Sequence, residues 1–144
     1  MDPGSFSIEG LYHMIVFTSF ENHKEFSDAQ TQLEDNSNVA FIHQAAPEVH
    51  RTYHKQRRDF ALAIGAAAEN TNSEYIMFVE DDFPVCEDDG WDKITSLLVK
   101  ASRAVPRHCG VFVATGASGL IFRSTLAPTL IRLLVPCWER KKKD

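Results

Sequence analysis

The sequence predicts an α/β fold with a doubly wound, mostly parallel sheet, and three observations carry that prediction. Short apolar runs alternate with longer stretches of helical period, as in successive βα units. The central run, Tyr75-Ile76-Met77-Phe78-Val79, is apolar without a break and ends at a turn signal, as expected of a strand covered on both faces. It leads straight into Glu80-Asp81-Asp82-Phe83-Pro84, which puts three carboxylates at the C-terminal end of the strand, where open α/β sheets bind their ligands.

The elements follow in order. Residues 11–20, centred on Met14-Ile15-Val16-Phe17, read as a first buried strand. Residues 21–35 form an amphipathic helix with Phe26, Ala29 and Leu33 spaced by three and four. Val39-Ala40-Phe41-Ile42 is a second, shorter strand. A long helix over 52–70 carries Phe60, Ala61, Ile64, Ala67 and Ala68 on one face, and Asn70-Thr71-Asn72-Ser73 stops it. After the 75–79 strand, Pro84 keeps a helix from starting within the acids. A helix over 91–105 turns Ile94, Leu97, Leu98 and Ala101 inward. A strand at 110–114, a tight turn at 116–119, a short strand at 120–122 and an apolar helix over 125–135 complete the order.

With 144 residues, the chain can bury one core, so a single compact unit over 11–135 is expected. Residues 1–10 read as a vector-derived or flexible N-terminus, and 136–144 as a basic tail. An apolar fraction of 44% and a charged fraction of 24% are those of a globular chain. The net charge of −5 argues against a nucleic-acid partner, and neither basic cluster, 55–58 or 140–143, reads as interleaved with aromatics. The most apolar stretch, 120–138, is broken by Arg123, Arg132 and two prolines, so it does not reach the roughly 18 apolar residues of a membrane span. Cys86, Cys109 and Cys137 show no CxxC spacing, which argues against a zinc site.

Three adjacent carboxylates repel one another, and a cation offsets that repulsion. Hard divalent ions such as Mn²⁺ or Mg²⁺ prefer oxygen ligands and also bridge phosphates, so metal plus diphosphate is the leading reading of Glu80-Asp81-Asp82. Alternation along a strand places Glu80 and Asp82 on one side and Asp81 on the other. Upstream, arginines at 57 and 58 suit a diphosphate, and Asp59 can accept from a ribose or base. The competing reading is a helix surface with a salt-bridging Arg. Glu87, Asp88 and Asp89 read as helix-capping acids, and His43, His50 and His54 as solvated loop histidines. Gly116-Ala117-Ser118-Gly119 allows close backbone approach to a ligand but lacks the spacing of a dinucleotide fingerprint or P-loop.

Phe78-Val79-Glu80-Asp81-Asp82 resembles the DXD-type motif, in its EDD form, of GT-A glycosyltransferases. With the helix from Lys55-Gln56-Arg57-Arg58-Asp59-Phe60-Ala61 before it and Gly116-Ala117-Ser118-Gly119-Leu120-Ile121-Phe122-Arg123 after it, the order is similar to the N-acetylglucosaminyltransferase IV group and to the related transferase that adds N-acetylgalactosamine to GPI anchors. The resemblance implies a three-layer α/β/α fold of nucleotide-diphospho-sugar transferase type. It implies Mn²⁺ (or Mg²⁺) held by Asp82 and Glu80, with Asp81, Asp59 and Arg57 on a UDP-sugar donor of the UDP-N-acetylhexosamine kind. A glycan or glycolipid acceptor and a membrane-anchored parent in the Golgi lumen are implied as well. No residue is identifiable as the general base, and the few residues after Val135 suggest a fold lacking its acceptor half. The alternatives are a non-catalytic domain that binds metal or nucleotide without turnover, and a Mg²⁺-dependent phosphotransfer or hydrolase domain.

Overall fold

The computed structural model of the chain describes residues 12–45, 52–80, 89–113 and 118–135. It is a mixed α/β structure with four helices and two small sheets, one parallel and one antiparallel, among the described residues. The chain divides into two compact units, residues 1–72 with 128–144 and residues 73–127.

In the first unit, β1 (Met14–Thr18) pairs in parallel with β2 (Val39–His43), Met14 opposite Val39 and Thr18 opposite His43. Parallel neighbours need a crossover, and α1 (Lys24–Gln32) supplies it. The helix starts at His23, whose Nδ1 accepts from the Phe26 amide at 3.2 Å. It stops where Leu33 leaves helical geometry while still donating to Ala29 O. Phe26 meets Phe41 edge-to-face at 5.3 Å, which ties α1 to the sheet. The return to β2 is set by Asn36, whose side chain accepts from the Asn38 amide at 3.0 Å.

The long helix α2 (Thr52–Asn70) packs against β1 and buries Arg58, Ala61, Ile64 and Ala66. Phe60, Ala67 and Ala68, expected on the buried face, are only half-buried. Its end is closed as the polar cluster predicted: Asn70 donates to Ala66 O at 2.8 Å and Thr71 to Ala67 O at 3.1 Å. α4 (Ala127–Leu134) follows the 3₁₀ turn Ser124–Leu126, so the last helix begins two residues later than its apolar pattern suggests.

In the second unit the sheet order is β3 (Tyr75–Phe78), β5 (Leu120–Arg123), β4 (Gly110–Phe112), and both pairings are antiparallel. The expected mostly parallel sheet is therefore corrected here. β3 and β4 do run in the same direction, joined through α3 (Gly90–Ala104) as a crossover unit should be, but β5 occupies the position between them. The connection from β4 to β5 is too short for a crossover, so β5 can only turn back. Position in the sheet also decides burial. β5 is paired on both sides and holds the core, with Ile121 1% exposed and Phe122 close behind, whereas in β3 only Ile76 is buried. α3 buries no residue fully, and Leu97 of its apolar face is exposed. Asp89 stands at the N-cap of α3 without a side-chain capping bond and pairs instead with Lys93 one turn on, at 3.0 Å.

A polar clamp holds the far end of this sheet. Arg123 Nε donates to His108 O, its two terminal nitrogens reach Glu74 Oε1 and Pro106 O at 3.0 and 2.9 Å, and its guanidinium lies over the Tyr75 ring. The Tyr75 and Ser102 hydroxyls converge on Nε2 of His108 at 3.1 and 3.2 Å. His108 Nδ1 lies 3.3 Å from Gly110 O, and the two hydroxyls are also 2.9 Å from each other, so Tyr75, Ser102 and His108 close a triangle of polar contacts. Among the described residues no helix is long and apolar enough to cross a membrane.

Candidate metal and nucleotide site

The strand run that ends in acids sets up the candidate site. β3 stops at Phe78, whose carbonyl accepts from the Gly119 amide at 2.8 Å, and the Gly119 carbonyl accepts in turn from the Val113 amide at 3.1 Å. Gly119 has φ of 77°, a conformation that L side chains adopt rarely, and this lets the chain turn tightly into β5. The turn before β5 is thereby strapped across the end of β3.

Beyond Phe78 the chain reaches Val79 and Glu80, both exposed. The Glu80 amide donates to Ser118 Oγ at 3.0 Å, and Ser118 Oγ lies 3.2 Å from Glu80 Oε2 and donates to it. Glu80 Oε1 makes no hydrogen bond, and no basic side chain pairs with the carboxylate, among the described residues. An exposed hard oxygen donor with lone pairs to spare suits a Mg²⁺ or Mn²⁺ ion, so the donor chemistry at this position fits the implied metal. Asp81 and Asp82 lie outside the described residues, as do Glu87, Asp88, Gly116 and Ala117. Among the described residues no three acidic, histidine or cysteine side chains gather as a metal-holding group.

The other predicted residues stand on α2, in the first unit. Arg58 is buried, its side chain only 5% exposed, and both its Nε and a terminal nitrogen donate to Asp59 Oδ1 at 3.0 and 2.7 Å. The salt-bridging alternative thus holds for Arg58, and Asp59 gives one carboxylate oxygen to that pair. Burying a guanidinium is costly without such a partner. Arg57 sits over the Tyr53 ring at 4.9 Å. Lys55 lies 3.7 Å from the Phe20 centroid. Two cations of this basic cluster thus each lie against an aromatic ring, as separate pairs. Tyr53 and Arg57, four apart on a helix, were visible in the sequence; Phe20 arrives from the loop after β1 and was not.

His43 is exposed as expected, and His50 lies outside the described residues. His54 is half-buried, and its Nδ1 is enclosed without a hydrogen-bond partner among the described residues. Cys109 is a free, exposed thiol. The residue that sequence reasoning missed is Ser118. Its turn was read for backbone approach to a ligand, whereas its side chain points inward to Glu80. A serine flanked by small residues just before an apolar strand was the available signal.

No protein-family model, no curated protein and no solved structure matches this chain.

Proposed function

We propose that the chain is the nucleotide-sugar-binding part of a metal-dependent glycosyltransferase. In this reading Glu80 and Asp82 hold Mn²⁺ or Mg²⁺, and Asp81, Asp59 and Arg57 address a UDP-sugar of the UDP-N-acetylhexosamine kind. The acceptor is a glycan or glycolipid, and the parent protein is membrane-anchored in the Golgi lumen. The finer fold assignment, a three-layer α/β/α arrangement of GT-A type, belongs to the same proposal. Its support is the parallel β1-α1-β2 unit and the same-direction pair β3 and β4 joined through α3.

The observation that carries the reading is the Glu80 carboxylate, exposed at the end of β3, unpaired with any cation among the described residues, and directly ahead of two further acids in the chain. A bound divalent ion supplies Lewis-acid stabilisation of a departing diphosphate. The protein's own part is to orient the carboxylates before the ligand arrives. Asp59 keeps its second carboxylate oxygen for a nucleoside hydroxyl, since Arg58 takes only the first. Arg57 brings a planar cation suited to phosphate oxygens. The test is calorimetric titration of the chain with UDP and several UDP-sugars, with and without Mn²⁺. Mn²⁺-dependent binding of UDP is expected; binding indifferent to metal would overturn the reading.

A further inference from the structure

Ser118 is the most completely enclosed polar residue among those described, with no exposed surface at all. A buried hydroxyl is costly unless it is hydrogen-bonded. Both bonds of this one go to a single residue 38 positions earlier: it accepts from the Glu80 amide and donates to the Glu80 carboxylate. Backbone and side chain of Glu80 are thereby fixed relative to each other, which sets the side-chain torsions as well as the position of the residue. The next amide, that of Gly119, holds Phe78 O at 2.8 Å and adds a third tie across the same strand end. An exposed glutamate otherwise samples many rotamers, and ordering it costs side-chain entropy. Here that ordering is built in before any ligand binds. Carboxylates that ligate metals are characteristically oriented by hydrogen bonds from groups behind them.

We infer that Ser118 is a positioning residue that orients the Glu80 carboxylate as an oxygen ligand for a divalent cation; this rests on the cation reading of the β3 end given above. The hydroxyl occupies Oε2 and leaves Oε1, which makes no hydrogen bond among the described residues, for the ion. Alanine at 118 removes both bonds at once, leaving the Glu80 amide without its acceptor and the carboxylate free to rotate.

The test titrates the full chain with Mn²⁺ alone, for the wild type, Ser118→Ala, Glu80→Gln and the double variant, and follows amide exchange at Glu80 by NMR. The wild type binds Mn²⁺, and Ser118→Ala weakens that binding about 10–100-fold, the usual effect of removing a group that orients a ligand. The Glu80 amide exchanges faster in Ser118→Ala. The double variant binds no more weakly than Glu80→Gln alone, because Ser118 acts through Glu80. A merely structural serine would lower the thermal midpoint and leave the Mn²⁺ affinity unchanged, or add its loss fully to that of Glu80→Gln; either result overturns the inference and leaves the cation reading standing. Absence of Mn²⁺ binding by the wild type overturns both. Should Ser118→Ala fail to fold, Ser118→Cys keeps the shape with weak hydrogen bonding and is expected to lose affinity in the same way. Wild-type affinity in that variant is an overturning result.

Discussion

At Gly110, β4 comes closer to β5 than any side chain allows. A Cβ at that position would collide with the Ile121 carbonyl oxygen and would lie 2.9 Å from Phe122 Cα and 3.1 Å from the Ile121 carbonyl carbon, all of them backbone atoms. Backbone cannot swing aside as a side chain can, so Gly110→Ala must push β4 away from β5. The pairs at risk are Gly110 with Phe122, Val111 with Ile121 and Phe112 with Leu120. Losing two or three ladder hydrogen bonds at about 1 kcal/mol each, with some uncovering of Ile121 and Phe122, gives an expected loss of about 3–4 kcal/mol. Gly65→Ala is the control. Among the described residues its Cβ would meet only Ile131 Cδ1, at 3.8 Å, an ordinary contact, and it sits in the interior of α2. Replacing a helical glycine by alanine there should stabilise by about 0.5–1 kcal/mol. Urea denaturation followed by far-UV circular dichroism measures both. The same chemical change should thus have opposite signs at two sites, and a Gly110→Ala protein as stable as wild type would refute the close β4–β5 spacing.

The buried centre of the second unit lies in β5, so Ile121→Ala should cost about 3–4 kcal/mol and the half-buried Phe78→Ala about half as much; the reverse order in thermal melts would return the core to β3. Asp59→Ala strips the buried Arg58 of a carboxylate partner and should destabilise by about 2 kcal/mol, reduced from the fully buried case because Asp59 is 25% exposed. The same variant should leave Mn²⁺ affinity unchanged and weaken UDP affinity, and a Mn²⁺ titration that changes in step with UDP would place Asp59 among the metal ligands.

Much of the element order was legible because it rests on local signals. The 3.6-residue period of α2, the polar stop at Asn70 and Thr71, and the apolar centres of β1 and β3 all read directly from neighbouring residues. Sheet pairing was not legible, since an apolar run reports burial and not the direction of its hydrogen-bonded neighbour. Tyr75–Phe78 looks like a strand between parallel partners, yet it lies beside antiparallel β5. The candidate site divides in the same way. The acids after β3 stand out in the sequence because consecutive charges follow an apolar strand. The hydroxyl that holds Glu80 comes from 38 residues further on, and only the turn at Gly119 brings it there. Arg58 and Asp59 are adjacent, and which neighbour of a basic pair turns inward depends on the packing of α2, which Arg57-Arg58 as a string does not reveal.

Calorimetric titration of UDP into the chain with Mn²⁺, repeated on Asp82→Ala, tests the central claim most directly. Removing one of three adjacent carboxylates relieves repulsion, so the variant should fold as the wild type does. The account predicts Mn²⁺-dependent UDP binding by the wild type and its loss in a folded Asp82→Ala protein. Undiminished Mn²⁺-dependent binding in that variant would contradict it.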